Sequence, residues 1–280
     1  MTTITAQSIL ASRHAISGDI LHTVLLRYPR WIHAELMTHR MFSRNAASSR
    51  AIPALKIIED IIADPALPIV WTKNQKGMQG YELLSHMAEE DARRCWLRAM
   101  NAAIVEARYL IDLGAHKQIV NRILEPYSHI TVLVSSTNWT NFLALRDHEA
   151  AEPHIQILAR EVRKALEGAE VQTLQPGEMH LPFIGNEADW NGDPDDAITL
   201  SVARCASTSY KTVDGFDMTL ERATEIYKGL TATTPIHASP FEHVAKADGK
   251  IAGLGWKQPH LHGNFTGFVQ LRKTIPNESV

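Results

Sequence analysis

The feature that most constrains the fold is a segment free of proline and glycine, from Tyr81 to Leu113. It is rich in alanine, leucine, glutamate, arginine and methionine, which are residues that favour helices. Gly114 follows at the position where a glycine commonly ends a helix. The sequence therefore predicts one long helix, which the rest of the chain must accommodate.

Strands and shorter helices are predicted on both sides of this helix. Runs with strand propensity occur at Thr23–Tyr28 and Ile130–Val134. Helical patterns occur at 53–62, 116–124, 137–146, 153–168, 201–206 and 220–230. Residues 174–194 contain several prolines and glycines and are predicted to be a surface connection.

Composition excludes several classes of function. The chain has 280 residues, a formal net charge of −3 and a pI near 6.5, so any site for a nucleic acid or another anion must be local. Cys95 and Cys205 form neither a metal-ligand spacing nor a disulfide framework, which predicts no metal site and a reducing, cytoplasmic environment. No apolar run has the length of a membrane span, so we expect no membrane partner.

A stretch rich in arginine and serine, Thr38–Arg50, lies between a predicted strand and a predicted helix. Arginine forks, hydroxyl groups and backbone N–H groups are the donors that a phosphate needs. Ser48, Ser49 and Arg50 also precede a helix start, where the helix dipole favours an anion. The alternative is a solvated loop whose serines cap the helix.

Two further stretches carry candidate site residues. His237–His243 places two histidines and a glutamate around Phe241, without the spacing of a helical histidine pair or a third metal ligand. The alternative there is a turn at Pro240 with a buried Phe241. Asn141–Arg146 combines an apolar face with polar neighbours, and its alternative is an amphipathic helix that ends in an arginine offsetting the helix dipole.

Together these stretches resemble the flavin-dependent thymidylate synthase family. Thr38–Arg50 resembles the family's Arg-His-Arg motif and the Ser, Asn, Ser and Arg that follow it, except that a threonine replaces the first arginine. His237–His243 resembles the His-x-Thr/Ser-Pro-Phe-Glu-His element, and Asn141–Arg146 resembles the Asn-Phe-Leu-x-Leu-Arg element. Further likenesses occur at Arg122–Pro126 and Ser201–Tyr210.

The order of these elements differs from the common arrangement in the family. The Ser-Tyr and Phe-Glu-His elements normally precede the Arg-His-Arg motif, whereas here they come last. The chain therefore resembles a circularly permuted or rearranged member, a change that compact domains tolerate. We expect a single catalytic domain over residues 1–280, in which 174–194 joins the permuted segments.

The resemblance implies a fold and an activity. The expected fold is α+β, with an antiparallel or mixed sheet packed against long helices, in a homotetramer. The expected reaction converts dUMP to dTMP with FAD as cofactor, methylenetetrahydrofolate as carbon donor and NADPH as reductant. Reduced flavin gives the hydride and no enzyme nucleophile attacks the base, in keeping with cysteines that no motif pairs with a histidine.

The resemblance also assigns roles to individual residues. The FAD site is expected to contain His39, Arg40, Met41, Asn141, Ser209, His237, Ser239 and Glu242. The nucleotide is expected to contact Glu35, Ser48, Ser49, Arg50, Arg122 and Arg146. Arg146 is also the expected catalytic residue, because a cation beside the pyrimidine stabilises negative charge that develops on the base.

Four positions depart from the family pattern. Thr38 and Ala51 replace an arginine and a tyrosine, Ser135 stands where an asparagine usually meets FAD, and Glu35 stands where a glutamine usually lies near the base. A carboxylate accepts a hydrogen bond where an amide can donate one. An alternative reaction is therefore the methylation or hydroxymethylation of another pyrimidine nucleotide, such as dCMP. A third hypothesis is a non-catalytic protein whose Arg/Ser loop binds nucleic acid, although the net negative charge argues against it.

Overall fold

The computed structural model describes residues 3–77, 80–185, 190, 192–208 and 218–279. Its main sheet contains the strands β1 (Thr5–His14), β2 (Ile20–Pro29), β3 (Ser43–Ala46), β4 (His129–Ser136) and β5 (Val171–Leu174). Their order across the sheet is β3-β4-β2-β1-β5. Neighbouring strands are antiparallel except β1 and β5, which are parallel. The expected α+β fold with a mixed sheet is therefore confirmed.

Helices cover this sheet and extend beyond it. They are α1 (His33–Met37), α2 (Ala54–Ala63), α3 (His86–Asp112), α4 (Lys117–Leu124), α5 (Thr140–Arg146), α6 (Pro153–Glu167), α7 (Pro194–Ser207) and α8 (Leu220–Thr231). Short strands form two small sheets, one from β6 (Met179–His180), β7 (Ala245–Ala247) and β10 (Phe268–Gln270), the other from β8 (Lys250–Ile251) and β9 (Gly255–Trp256). A 3-10 turn, Ser239–Glu242, precedes β7.

The first core lies between the main sheet and α6. Apolar residues of α6 recur at helical spacing, so they form one face, and this face packs on fully buried residues of β2 and β4. The residues involved are Ile155, Leu158, Ala159 and Val162 on the helix, and Val24, Leu26, Val132 and Val134 on the sheet. This packing fixes the two central strands, from whose ends the site residues extend.

The second core lies within a separate layer of helices α2, α3 and α4. The predicted long helix is confirmed, but it begins at His86 rather than Tyr81. Ser85 caps it by accepting a hydrogen bond from the backbone N–H of Ala88, and Leu83, two residues earlier, forms an isolated β-bridge with Thr72. Gly114 ends the helix with a φ of +78°, a conformation that glycine adopts without strain.

In the part of 174–194 that the structure describes, only some residues form the predicted surface connection: residues 175–178 are exposed, whereas other residues are buried. Leu174 packs against Leu21 and Phe268 in a small core, and His180 is fully buried. Residues 186–189 and 191 lie outside the described part of the chain. That 174–194 joins permuted segments stays a prediction.

The late segments of the chain return to the early ones. Helices α7 and α8 pack on each other, and the Ser239–Glu242 turn lies against both α7 and β3. The Phe-Glu-His element therefore lies next to the Arg/Ser stretch, although the two are far apart in sequence. Of the helices described, none combines the length and hydropathy that a membrane span requires.

Candidate active site

Arg146 and His39 are in direct contact at the centre of the candidate site. Arg146 ends α5, His39 follows α1, and 107 residues separate them. Arg146 Nε donates to His39 Nε2 at 3.0 Å, and its Nη2 donates to Thr38 Oγ1 at 3.2 Å. Phe142 packs edge-on against the His39 ring at 5.0 Å. The structure thus brings together the expected catalytic arginine and an expected cofactor ligand.

Glu35 lies beside the same arginine. Its Oε2 is 3.7 Å from Arg146 Nη1, an ion pair too long to be a hydrogen bond. Burial raises the pKa of the Glu35 carboxyl, Glu152 raises it further, and Arg146 opposes both. Arg146 Nη1 consequently keeps the capacity to donate to a ligand.

The Arg/Ser stretch forms β3 and then a tight turn before α2. Ala51 N donates to Ser48 O at 3.0 Å and closes the turn. Ser48 is half-buried, Ser49 is buried and Arg50 is exposed. Asn121 of α4 holds the turn by donating to Ser49 O at 2.6 Å and to Ile52 O at 3.0 Å.

Arg122 and Ser49 meet at the carboxylate of Glu125. Ser49 Oγ donates to Glu125 Oε1 at 2.6 Å, and Arg122 Nη1 donates to the same oxygen at 3.1 Å. Arg30, which the sequence analysis missed, lies close enough to Glu125 and Arg122 to interact with their charges, and its Nη2 donates to Ala47 O at 3.2 Å. Arg30 directly follows β2 and belongs to no motif, so the sequence contains no pattern that marks it as a site residue.

The Phe-Glu-His element contacts β3 through Asn45. Ser239 Oγ donates to Asn45 Oδ1 at 3.2 Å, and Asn45 Nδ2 donates to Cys205 O of α7 at 2.7 Å. One side chain therefore joins three segments: β3, α7 and the Ser239–Glu242 turn. Cys205 itself is fully buried, and burial raises the pKa of its thiol, so it is inert as a nucleophile.

Glu242 is engaged by the C-terminal segment, to which the sequence analysis assigned no motif. Arg272 forms an ion pair with Glu242 and a second one with Glu278, at 2.6 Å. Gln270 Nε2 donates to Ser43 Oγ at 3.0 Å and to Glu242 O at 3.2 Å. Residues 270–272 thus tie the Phe-Glu-His element to the start of β3.

The remaining expected FAD ligands lie on the surface. Arg40, Met41, Asn141 and His237 are all exposed, with side chains available to a ligand. In the described residues, the hydrogen bonds and ring contacts of His39 do not extend to His237. Ser209 lies outside the described residues.

Ser135 belongs to a buried chain of hydrogen bonds and faces the interior. Its Oγ is 2.6 Å from Thr23 Oγ1 and 2.8 Å from His243 Nδ1. Thr23 Oγ1 continues to His180 Nε2 at 2.8 Å, and His180 Nδ1 lies 2.7 Å from Ser12 Oγ. All five residues are fully buried, and burial lowers the pKa of each histidine to about 3. This network links β1, β2, β4, β6 and the end of the Ser239–Glu242 turn.

No group of three or more histidine, cysteine or acidic residues in the described ranges is arranged to hold a metal ion. The geometry offers instead guanidinium, amide, hydroxyl and imidazole groups. Such a set suits an anionic organic ligand with several hydrogen-bonding edges.

The family described as thymidylate synthase complementing protein matches residues 19–169, more than half of the chain. The matched range contains Glu35, His39, the Ser48–Arg50 turn, Arg122 and Arg146. It does not contain the Phe-Glu-His element. No curated protein matches the sequence.

Two solved structures are similar to this chain. The UMP/dUMP methylase PolB from Streptomyces cacaoi bound with 5-Br UMP is 19% identical, with a TM-score of 0.51 over 60% of this chain and 90% of that chain. PolB bound with 5-Br dUMP is 17% identical, with a TM-score of 0.49 over 60% of this chain and 92% of that chain. The first similarity supports the mixed α+β fold.

Proposed function

The chain belongs to the flavin-dependent thymidylate synthase family, and we propose that it methylates dUMP to dTMP. The observation that carries this proposal is the contact between Arg146 and His39. Both residues lie in family motifs inside the matched range, and they meet although 107 positions separate them. Methylenetetrahydrofolate is the proposed carbon donor and NADPH the proposed reductant.

Arg146 is the proposed catalytic residue. Its Nε and Nη2 are held by His39 and Thr38, while Nη1 lies 3.7 Å from Glu35 Oε2 and donates no hydrogen bond to the described residues. A guanidinium fixed in this way can contact a pyrimidine oxygen without reorganising, which stabilises negative charge on the base as the carbon bond forms. His39 and Thr38 therefore orient Arg146.

The nucleotide phosphate is proposed to bind the Ser48–Arg50 turn together with Arg122. Ser49 and Arg122 already donate to a common carboxylate, so both can donate to one anion. The turn precedes α2, whose N-terminus adds a favourable dipole. Glu35 is proposed to contact the base beside Arg146.

The residues present fit FAD as the cofactor. Arg40, Asn141 and His237 are exposed donors that suit its phosphates and the edge of its ring system. Glu242, Met41, Ser209 and Ser239 are further proposed ligands of FAD. Glu242 forms an ion pair with Arg272, and the positive charge of Arg272 offsets the repulsion between the Glu242 carboxylate and a phosphate of FAD. When bound and reduced, FAD supplies the hydride of the reaction.

A homotetramer in the cytoplasm is also part of the proposal. Exposed apolar side chains on the α2–α4 layer support association with other subunits. They include Leu55, Ile62, Val105, Tyr109 and Ile119. The contact of the Phe-Glu-His element with β3 supports the rearranged order of one catalytic domain.

A second candidate substrate is dCMP, which the Glu35 carboxylate favours. This acceptor lies beside Arg146, where it can accept a hydrogen bond from the exocyclic amine of cytosine. Assays with dUMP, dCMP and UMP, the last suggested by the substrates named for PolB, separate the candidates. A strong preference for dUMP rules out dCMP.

The colour and ligands of the purified protein test the class of function. We expect a yellow protein with flavin absorbance that binds dUMP. A colourless protein that accepts no FAD and binds DNA in a salt-sensitive manner would instead support the nucleic-acid-binding hypothesis.

A further inference from the structure

A carboxylate of the chain itself lies against the groups proposed to hold the substrate phosphate. Glu125 Oε1 accepts from Ser49 Oγ at 2.6 Å and from Arg122 Nη1 at 3.1 Å, and Oε2 lies 3.4 Å from the same nitrogen. A carboxylate and a phosphate use the same donors, because both accept charge-assisted hydrogen bonds. Glu125 and a phosphate therefore compete for Ser49 and Arg122.

The backbone around this contact is fixed, whereas the Glu125 side chain is not enclosed. Asn121 is fully buried and holds Ser49 O, so the backbone that carries the Ser49 hydroxyl stays in place. The Glu125 side chain is 25% exposed and the Arg122 side chain is 58% exposed. Glu125 can turn toward solvent without disturbing the turn that carries Ser49.

The surrounding charge favours an anion even with Glu125 in place. Arg30, Arg50 and Arg122 supply three guanidinium groups on or beside the loop, opposite the carboxylate of Glu125. Arg30 Nε and Asn121 Oδ1 are buried and have no hydrogen-bond partner in the described part of the chain. Glu125 thus weakens this anion site without neutralising it.

We propose that Glu125 is a specificity-determining residue whose carboxylate competes with the substrate phosphate and lowers the affinity for nucleoside monophosphates relative to nucleosides. The inference rests on the proposed function for the identity of the nucleotide. Its physical basis, competition between two anions for Ser49 and Arg122, applies equally to inorganic phosphate. The nucleoside has no phosphate, so its binding serves as an internal reference.

Calorimetry on Glu125→Gln tests the proposal. The amide still accepts a hydrogen bond from Ser49 but carries no charge. We expect Glu125→Gln to bind dUMP and inorganic phosphate about tenfold more tightly than the wild type does. The affinity for deoxyuridine should be unchanged. Glu82→Gln, which removes an exposed carboxylate paired with Lys73, is the matched control and leaves all three affinities unchanged.

Unchanged or weaker binding of both dUMP and phosphate to a folded Glu125→Gln protein overturns the proposal. If phosphate binds more tightly but neither dUMP nor deoxyuridine binds, the competition stands and the proposed function fails. Should Glu125→Gln not fold, Glu125→Asp replaces it, because the shorter side chain withdraws the carboxylate from Ser49. For Glu125→Asp we expect phosphate to bind at least about threefold more tightly than it binds to the wild type. An unchanged phosphate affinity in this variant overturns the proposal.

Discussion

The imidazole of His39 accepts a hydrogen bond from the Nε of Arg146 at 3.0 Å. An arginine Nε–H can only donate, so His39 Nε2 must be unprotonated and the ring proton must be on Nδ1. Burial, followed by the positive charges of Arg146 and Arg44, lowers the pKa of His39 and keeps it neutral. A neutral His39 therefore orients Arg146 and offers its Nδ1–H to a ligand.

Replacing Arg146 should separate turnover from cofactor binding. Arg146→Ala removes the cation beside the base, and we expect turnover to fall about 10²–10³-fold or more, with FAD affinity changed only a few-fold. Steady-state assays and FAD titration measure the two effects. Arg222→Ala, an exposed arginine of α8, is the control, and full activity in Arg146→Ala would remove Arg146 from the mechanism.

Thr23 is a stability determinant inside the buried network. Thr23→Val preserves the shape but leaves His180 Nε2 without a partner and removes one from Ser135. We expect the free energy of unfolding to fall by about 1–3 kcal/mol in urea denaturation. Thr131→Val, on the neighbouring strand β4, is the control because the Thr131 hydroxyl forms no hydrogen bond with any of the described residues. Equal stability of the two variants would contradict the network's role.

The two buried histidines should make the fold sensitive to acid. The pKa of His180 and that of His243 are each about 3 in the folded chain because of burial, against about 6.5 when unfolded. Above pH 6.5 neither state binds these protons and stability is fully present. Between pH 6.5 and about 3 only the unfolded chain binds them, so stability falls with decreasing pH, by up to about 1.4 kcal/mol per pH unit for each histidine.

Urea denaturation from neutral pH down to about pH 4 measures this dependence. His180→Gln does not titrate, so its stability should fall less steeply with acid than that of the wild type. The carboxylates are the same in both proteins, and their contribution cancels in the comparison. Parallel acid slopes would show that His180 is not a source of the sensitivity.

Asn45 should couple the Phe-Glu-His element to the cofactor site. Asn45→Ala removes the contacts to Ser239 and Cys205, which releases the turn next to His237. We expect FAD to bind about tenfold more weakly, as followed by flavin fluorescence, because each lost hydrogen bond is worth about 1 kcal/mol. Asn101→Ala, on the exposed surface of α3, should bind FAD normally. If Asn45→Ala also binds normally, the turn is not part of the site.

The sequence predicts those parts of the fold that depend on local pattern. The long helix α3, the strands β2 and β4, and α6 follow from apolar periodicity and from proline and glycine positions. Strands of two or three residues, such as β6 and β7, have no measurable period and were missed. The strand β1 was also missed, because its alternation includes polar residues that pair with distant partners.

The candidate site was predictable only where short motifs carry it. The motifs identify Arg146 and His39, but the pairing of Gln270 with Ser43 and of Arg272 with Glu242 joins distant segments without any local signal. The same holds for Ser135, whose hydroxyl contacts Thr23 and His243 within the core. Hydroxyl and imidazole groups acquire such partners only when the tertiary fold forms.

The product of a single anaerobic reaction tests the central claim most directly. The purified protein is reduced without oxygen, mixed with methylenetetrahydrofolate and dUMP, and the nucleotide is identified by mass. We predict that dUMP gains one methyl group to form dTMP, and that Arg146→Ala forms dTMP at least about 10²-fold more slowly. A protein that binds no FAD and leaves dUMP, dCMP and UMP unchanged in mass would contradict the account.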